Sequence, residues 1–142
     1  MCGDPLSLLK GNKTMIETGI KNIKELICDE ENTAKAVGSG DLRVFSTPAM
    51  LAAIELCAAE SVKPFLEENQ STVGISANLK HIAATPVGMK IRCESELTDV
   101  DRRRLTFLVK VYDEKELVGE CTHERFIVDN SKFIEKTYNK KG

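Results

Sequence analysis

Hydrophobic positions along this chain change their spacing twice, and the changes mark out its elements. Residues 18–29, TGIKNIKELICD, alternate apolar and polar side chains, the period of two that a strand requires because successive side chains leave opposite faces. Residues 32–41, NTAKAVGSGD, hold a short helical patch broken by Gly38-Ser39-Gly40 and read as a mobile connector. From Thr47 the chain is apolar almost all the way round, TPAMLAAIELCAAESV, and too long for an ordinary strand. Thr47 suits a helix N-cap, Pro48 suits the first helical position, and Pro64 stops the helix just after Val62. Alternation then returns four times. One face of TVGISANLKHIAAT collects Val73, Ile75, Ala77, Leu79, His81 and Ala83. Met89, Ile91, Cys93, Ser95 and Leu97 form the next face, and Leu105, Phe107, Val109 and Val111 the one after. ELVGECTHERFIV closes the series, and FIEKTY reads as a last short helix.

The connections TPVG, DVDRR and DEKE are turn material, so neighbouring strands run antiparallel. Strand, long helix, four strands is an α+β order with one sheet, and so apolar a helix is buried if the sheet curls around it. The 142 residues fit one domain, taken as 15–142; residues 1–14, interrupted by Gly3, Pro5, Gly11 and Asn12, read as a tail outside the fold.

Composition narrows the function by exclusion. Twenty Lys and Arg against 22 Asp and Glu leave a net charge of -2, which draws the chain neither to nucleic acid nor to an anionic membrane. The clusters Arg102-Arg103-Arg104 and Lys140-Lys141 read as a solvated turn and a tail end, with a contact to substrate phosphates as the competing reading. Five scattered cysteines without a C-x-x-C pair argue against a disulfide framework or a zinc site, and place the protein in a reducing cytoplasm. Two histidines and no clustered carboxylates argue against any metal.

Two ionisable residues sit on faces that should be apolar. Glu55 lies in the middle of the long helix, and His81 is the one ionisable member of the strand face that should pack on it. Buried apart, each carries a desolvation cost; facing one pocket, each supplies part of what the other lacks. A structural hydrogen-bonded pair and a catalytic pair both satisfy this pattern. Thr47 adds a hydroxyl at the helix start, where free N–H groups suit anionic oxygens, although a plain N-cap explains it as well. Eight residues of helix put Thr47 and Glu55 roughly 12 Å apart, so substrate lies between them or a second subunit supplies one. His123, flanked by Glu124 and Arg125, reads as part of a structural polar cluster.

At these residues the chain resembles a known family. FSTPAMLAAIE, VGISANLKHIAATPVGM and GECTHERFIV are similar in order and spacing to segments of the fluoroacetyl-CoA thioesterase family, over residues 43–133. The resemblance implies the hotdog fold: a curved antiparallel sheet wrapped around one long helix, with two subunits pairing to complete the sites. It implies hydrolysis of an acyl-CoA thioester, with Thr47, Glu55 and His81 as the catalytic set. Gly74, Arg125 and Phe45 would lie beside the substrate. No cofactor is implied, coenzyme A being part of the substrate, and short acyl groups are favoured. One departure stands out. The family's aromatic lid corresponds to AVGSGDLRVFS, where Gly38, Gly40 and Asp41 stand and only Phe45 is aromatic. The hydrolytic set can survive that change, whereas selection for a fluorinated acetyl group is not expected to. Two other readings stay open: an acyl-CoA hydratase or dehydratase, and a protein that binds an acyl-CoA without cleaving it.

Overall fold

The computed structural model describes residues 15–142. The tail proposed for residues 1–14 lies outside them. The described chain forms β1 (Lys21–Ile27), α1 (Ala34–Val37), α2 (Thr47–Val62), β2 (Gln70–His81), β3 (Lys90–Asp101), β4 (Arg104–Tyr112), β5 (Leu117–Asp129) and α3 (Asn130–Tyr138). The five strands make one antiparallel sheet in the order β1-β3-β4-β5-β2, so β1 and β2 are its edges. Helix α2, 16 residues or roughly 24 Å long, touches all five strands, which requires the sheet to curl around it. This is the α+β hotdog arrangement that the resemblance implies.

The alternating runs explain the core. Ile91, Cys93 and Leu97 of β3 and Leu105, Phe107, Val109 and Val111 of β4 are fully buried, and they meet Met50, Ile54, Cys57, Ala58 and Val62 of α2. Each buried Val, Leu, Ile, Phe or Met in this seam contributes about 1.5–3 kcal/mol by leaving water, so the seam dominates the stability of the fold. Gly119 of β5 lies against the Met50 sulfur, where a β-carbon would not fit, and this lets the helix approach the sheet closely.

Three sequence expectations change in detail. The first strand is shorter than residues 18–29, because Gly19 takes a positive φ of 98° and turns the chain just before β1. The connector is tied down by backbone bonds: Ala34 N–H to Val44 O (2.8 Å), Lys35 N–H to Leu42 O (3.0 Å) and Phe45 N–H to Thr85 O (2.9 Å). Within it, the Thr33 side chain caps α1, and Gly38 closes α1 in the left-handed conformation at φ 83°. The third change concerns α2. Its N-cap is Ser46, whose hydroxyl accepts the Ala49 N–H at 3.1 Å, and Thr47 is already inside the helix. Either residue type caps well, so spacing alone could not choose between neighbours.

Candidate active site

Because Ser46 does the capping, the Thr47 hydroxyl is free, and it lies 2.8 Å from His81 Nδ1 at the end of β2. The other ring nitrogen, Nε2, is sealed from solvent with no partner among the described residues. Burial therefore holds the His81 pKa below its usual 6.5, since a charged ring would be poorly solvated there. Thr47 and His81 line an open cavity of about 340 Å³ together with Ala34, Ser39, Val44 and Phe45. Phe45 forms part of that wall while its ring is buried in the core.

Glu55 belongs to a second cluster. The expectation of a carboxylate sealed among apolar neighbours is not met: its side chain is 43% exposed. Its Oε2 lies 3.7 Å from Arg125 Nη1, and it lies so close to Gly74 that a β-carbon there would overlap it. Arg125 is buried and well held. Its Nε donates to Thr72 Oγ1 at 2.8 Å, its Nη2 donates to the Thr72 carbonyl at 2.9 Å, and its Nη1 lies 3.2 Å from His123 Nε2. His123 in turn places Nδ1 2.8 Å from the Ser76 carbonyl.

A β-bulge assembles this second cluster. Gly74 pairs with Arg125 and Ser76 with Glu124, leaving Ile75 without a partner on β5. The extra residue shifts the side-chain phase of β2. Downstream, Ala77, Leu79 and His81 pair with inward residues His123, Cys121 and Gly119; upstream, Thr72 and Gly74 take that place instead of Val73 and Ile75. The single face drawn from Val73 to Ala83 is therefore two half-faces, and the slip brings Gly74 rather than a bulky side chain against Glu55.

Within the chain the two clusters stand apart. Eight residues of α2 separate Thr47 from Glu55, roughly 12 Å of helix rise, and seven residues of β2 separate Gly74 from His81, roughly 23 Å. His123 is the residue that sequence reasoning set aside. Its signal was present: Cys121, His123, Arg125 and Ile127 alternate with Thr122, Glu124 and Phe126. The exposed Phe126 hid which half faces inward.

Other candidates resolve simply. Cys28, Cys57, Cys93 and Cys121 are buried, and burial raises each thiol, Cys93 to about 12, so none is poised as a thiolate nucleophile. In the basic turn, Arg103 pairs with Asp129 at 3.7 Å and Arg104 with Asp101 at 3.1 Å, which favours the solvated-turn reading. No helix among the described residues is long and apolar enough to cross a membrane.

Two imidazoles, His123 buried and His81 half-buried, make folding pH-dependent. Burial holds His123 as well as His81 below 6.5, so the unfolded chain takes up protons first as pH falls. Stability from this source is complete above about pH 6.5 and declines as pH drops toward the folded-state values. The urea midpoint is expected to be lower at about pH 5.5 than at about pH 7.5. An unchanged midpoint would contradict the desolvation of the two rings.

Known proteins share this architecture. Residues 28–131 match the family model described as fluoroacetyl-CoA-specific thioesterase. Over 97 residues the chain is 33% identical to the fluoroacetyl-CoA thioesterase of Streptantibioticus cattleyicolor, covering 68% of this chain and 70% of that protein. A solved structure of a fluoroacetyl-CoA thioesterase aligns with a TM-score of 0.84 at 26% identity, over 89% of this chain and 98% of its own. A thioesterase superfamily member from Thermus thermophilus aligns with a TM-score of 0.82 at 25% identity, over 89% and 93%. A hot-dog-like protein from Thermanaerovibrio acidaminovorans, 18% identical with a TM-score of 0.83 over 89% and 94%, shares the fold.

Proposed function

Because this chain belongs to the fluoroacetyl-CoA-specific thioesterase family, and so among thioester hydrolases, we propose that it hydrolyses short acyl-CoA thioesters as a homodimer. Glu55 would act from one protomer, and Thr47 and His81 from the partner subunit. The observation that carries this reading is the half-open Glu55 carboxylate, the one polar side chain between Pro48 and Ala59 of α2, held where a substrate carbonyl can approach it.

Pairing is supported by what one chain leaves uncovered. Strand β2 is a free sheet edge, Ile75 beside the bulge is 50% exposed, and α2 turns Pro48, Ala52 and Leu56 outward. A helix apolar on all sides, with one side uncovered by its own sheet, is suited to a second copy. Antiparallel pairing of two β2 edges would set the Gly74 end of one strand against the His81 end of the other. The roughly 23 Å that separates the clusters within a chain would then become a short gap between chains.

In that gap Glu55 takes a proton from water as the oxygen adds to the thioester carbon, or adds directly to give an anhydride that water resolves. Thr47, bonded to His81 at the positive end of α2, faces the oxygen on which negative charge develops. Breaking the C–S bond releases the coenzyme A thiolate, which takes up the proton removed from water, returned by Glu55 directly or through the hydrogen-bonded Thr47–His81 pair. The cavity of about 340 Å³ beside Thr47 fits a short acyl group. Its rim carries Ser39, with glycines at 38 and 40 and no aromatic lid, so selection for a fluorinated acetyl group is not expected.

The test is release of free thiol from a panel of acyl-CoAs running from acetyl and fluoroacetyl to octanoyl. Turnover is expected on the short members, with acetyl and fluoroacetyl within about tenfold of each other in kcat/KM. Tight binding without thiol release would overturn hydrolysis in favour of a binding protein. Hydration of an enoyl-CoA without thiol release would point to a lyase.

A further inference from the structure

The mechanism above makes no use of His123, yet this ring is only 1% exposed and both of its nitrogens are engaged. The Ser76 carbonyl can only accept, so Nδ1 must carry the ring hydrogen. In the neutral ring Nε2 is then a bare acceptor, and it lies 3.2 Å from Arg125 Nη1, which can only donate. One tautomer therefore satisfies both contacts, and a doubly protonated ring would set an N–H against the guanidinium. The charged groups facing the ring are Arg125 and Glu124 from β5 and Glu55 from α2; β2 contributes the Ser76 carbonyl and β4 the Phe107 ring, at 6.4 Å between centroids.

Arg125 is thus anchored at each of its nitrogens. Thr72 takes Nε and Nη2, His123 takes Nη1, and Nη1 is also the atom 3.7 Å from Glu55 Oε2. Three anchors define the guanidinium plane, and a planar fork held this way aims its remaining donors in fixed directions. Without the His123 anchor the planar group is held along its Thr72 edge alone, and it can tilt as a unit and carry Nη1 away from the carboxylate.

We propose that His123, locked in its neutral Nδ1–H tautomer by the Ser76 carbonyl, is a positioning residue that aims Arg125 and thereby holds the Glu55 carboxylate in place for reaction. The catalytic half of this inference rests on the hydrolytic role of Glu55. Its geometric half stands on the contacts alone.

The two halves are tested separately on the full chain. Nitrogen NMR of the wild-type histidine rings is expected to show His123 protonated at Nδ1 only. The Arg125 Nη1 hydrogens are expected to be protected in wild type and in His123→Gln, whose amide can donate to Ser76 and accept from Arg125, and to exchange fast in His123→Ala, while the Nε–H held by Thr72 stays protected in all three. In thiol-release assays His123→Ala is expected to lower kcat about tenfold or more with KM within about twofold, and His123→Gln to recover most of the loss. His123→Ala added to Arg125→Ala should cost nothing further, because it acts only through Arg125. An Nε2–H tautomer, or Arg125 Nη1 hydrogens that stay protected in His123→Ala, would overturn the clamp whether or not the protein hydrolyses thioesters. Wild-type kcat in a folded His123→Ala, or multiplicative losses in the double variant, would overturn the link to Glu55. Should His123→Ala fail to fold, the wild-type tautomer and the activity of His123→Gln still decide: an inactive, folded His123→Gln with Arg125 released counts against the proposal. A wild type that holds the clamp but releases no thiol would remove the hydrolase reading alone.

Discussion

Glu55→Gln is expected to lower kcat for acyl-CoA hydrolysis by about a thousandfold, with KM and the fold little changed. Glutamine keeps the shape and can still accept from Arg125, but it can neither take a proton from water nor add to a carbonyl carbon. The fold should tolerate the change, because the side chain is 43% exposed and its one ion pair, at 3.7 Å, is long. With the carboxylate half open to solvent and the contact long, the pair contributes about 1 kcal/mol. Arg125 loses its facing carboxylate but keeps its bonds to Thr72 and His123, so the buried guanidinium remains hydrogen-bonded. Initial rates of thiol release, measured alongside a thermal melt, check both parts. Near-normal turnover by a folded variant would remove Glu55 from the mechanism.

Gly74→Ala should cost about a hundredfold in kcat for a purely geometric reason. A methyl group at Gly74 would overlap Glu55 Oε2 and press at 3.3 Å on both Arg125 Nη1 and His123 Cε1. Of these the carboxylate yields most easily, since it ends a flexible, partly exposed side chain while the other two are buried and anchored. It would swing away from Arg125 and out of line with the substrate. Gly74 is not among the glycines with positive φ, so alanine brings no backbone strain, and melting should shift by only a few degrees. A fully active Gly74→Ala would show that the close approach of β2 to Glu55 has no bearing on catalysis. Activity lost together with the folded state would show that the glycine serves packing instead.

These two residues also mark how far the sequence could be read. The alternation in β3 and β4 identified buried faces correctly because both strands are interior to the sheet and regular where they meet α2: every residue from Ile91 to Leu97 and Leu105 to Val111 on the predicted face is buried. Glu55, His81 and Thr47 stood out as polar groups among apolar ones, and two of them do form a hydrogen-bonded pair. The exposure of Glu55 was not legible, because an all-round apolar helix looks the same whether its last face is covered by its own sheet or by another molecule. The polar cluster read around His123 is present, but that its ring faces inward was not legible, for a related reason. The exposed Phe126 carries an apolar side chain on the outward side of β5, which blurs an otherwise strict alternation.

Local chemistry along the chain was sufficient to determine the element order, the helix that fills the sheet, the apolar seam and the oddity of three polar residues, since each depends on periodicity and on near neighbours. Which hydroxyl caps α2, where the bulge in β2 changes the phase, and how His123, Arg125, Gly74 and Glu55 converge were decided only in three dimensions. Those outcomes depend on a single-residue register shift between β2 and β5, strands whose paired residues lie between 38 and 59 positions apart in the chain, and no local pattern carries that information.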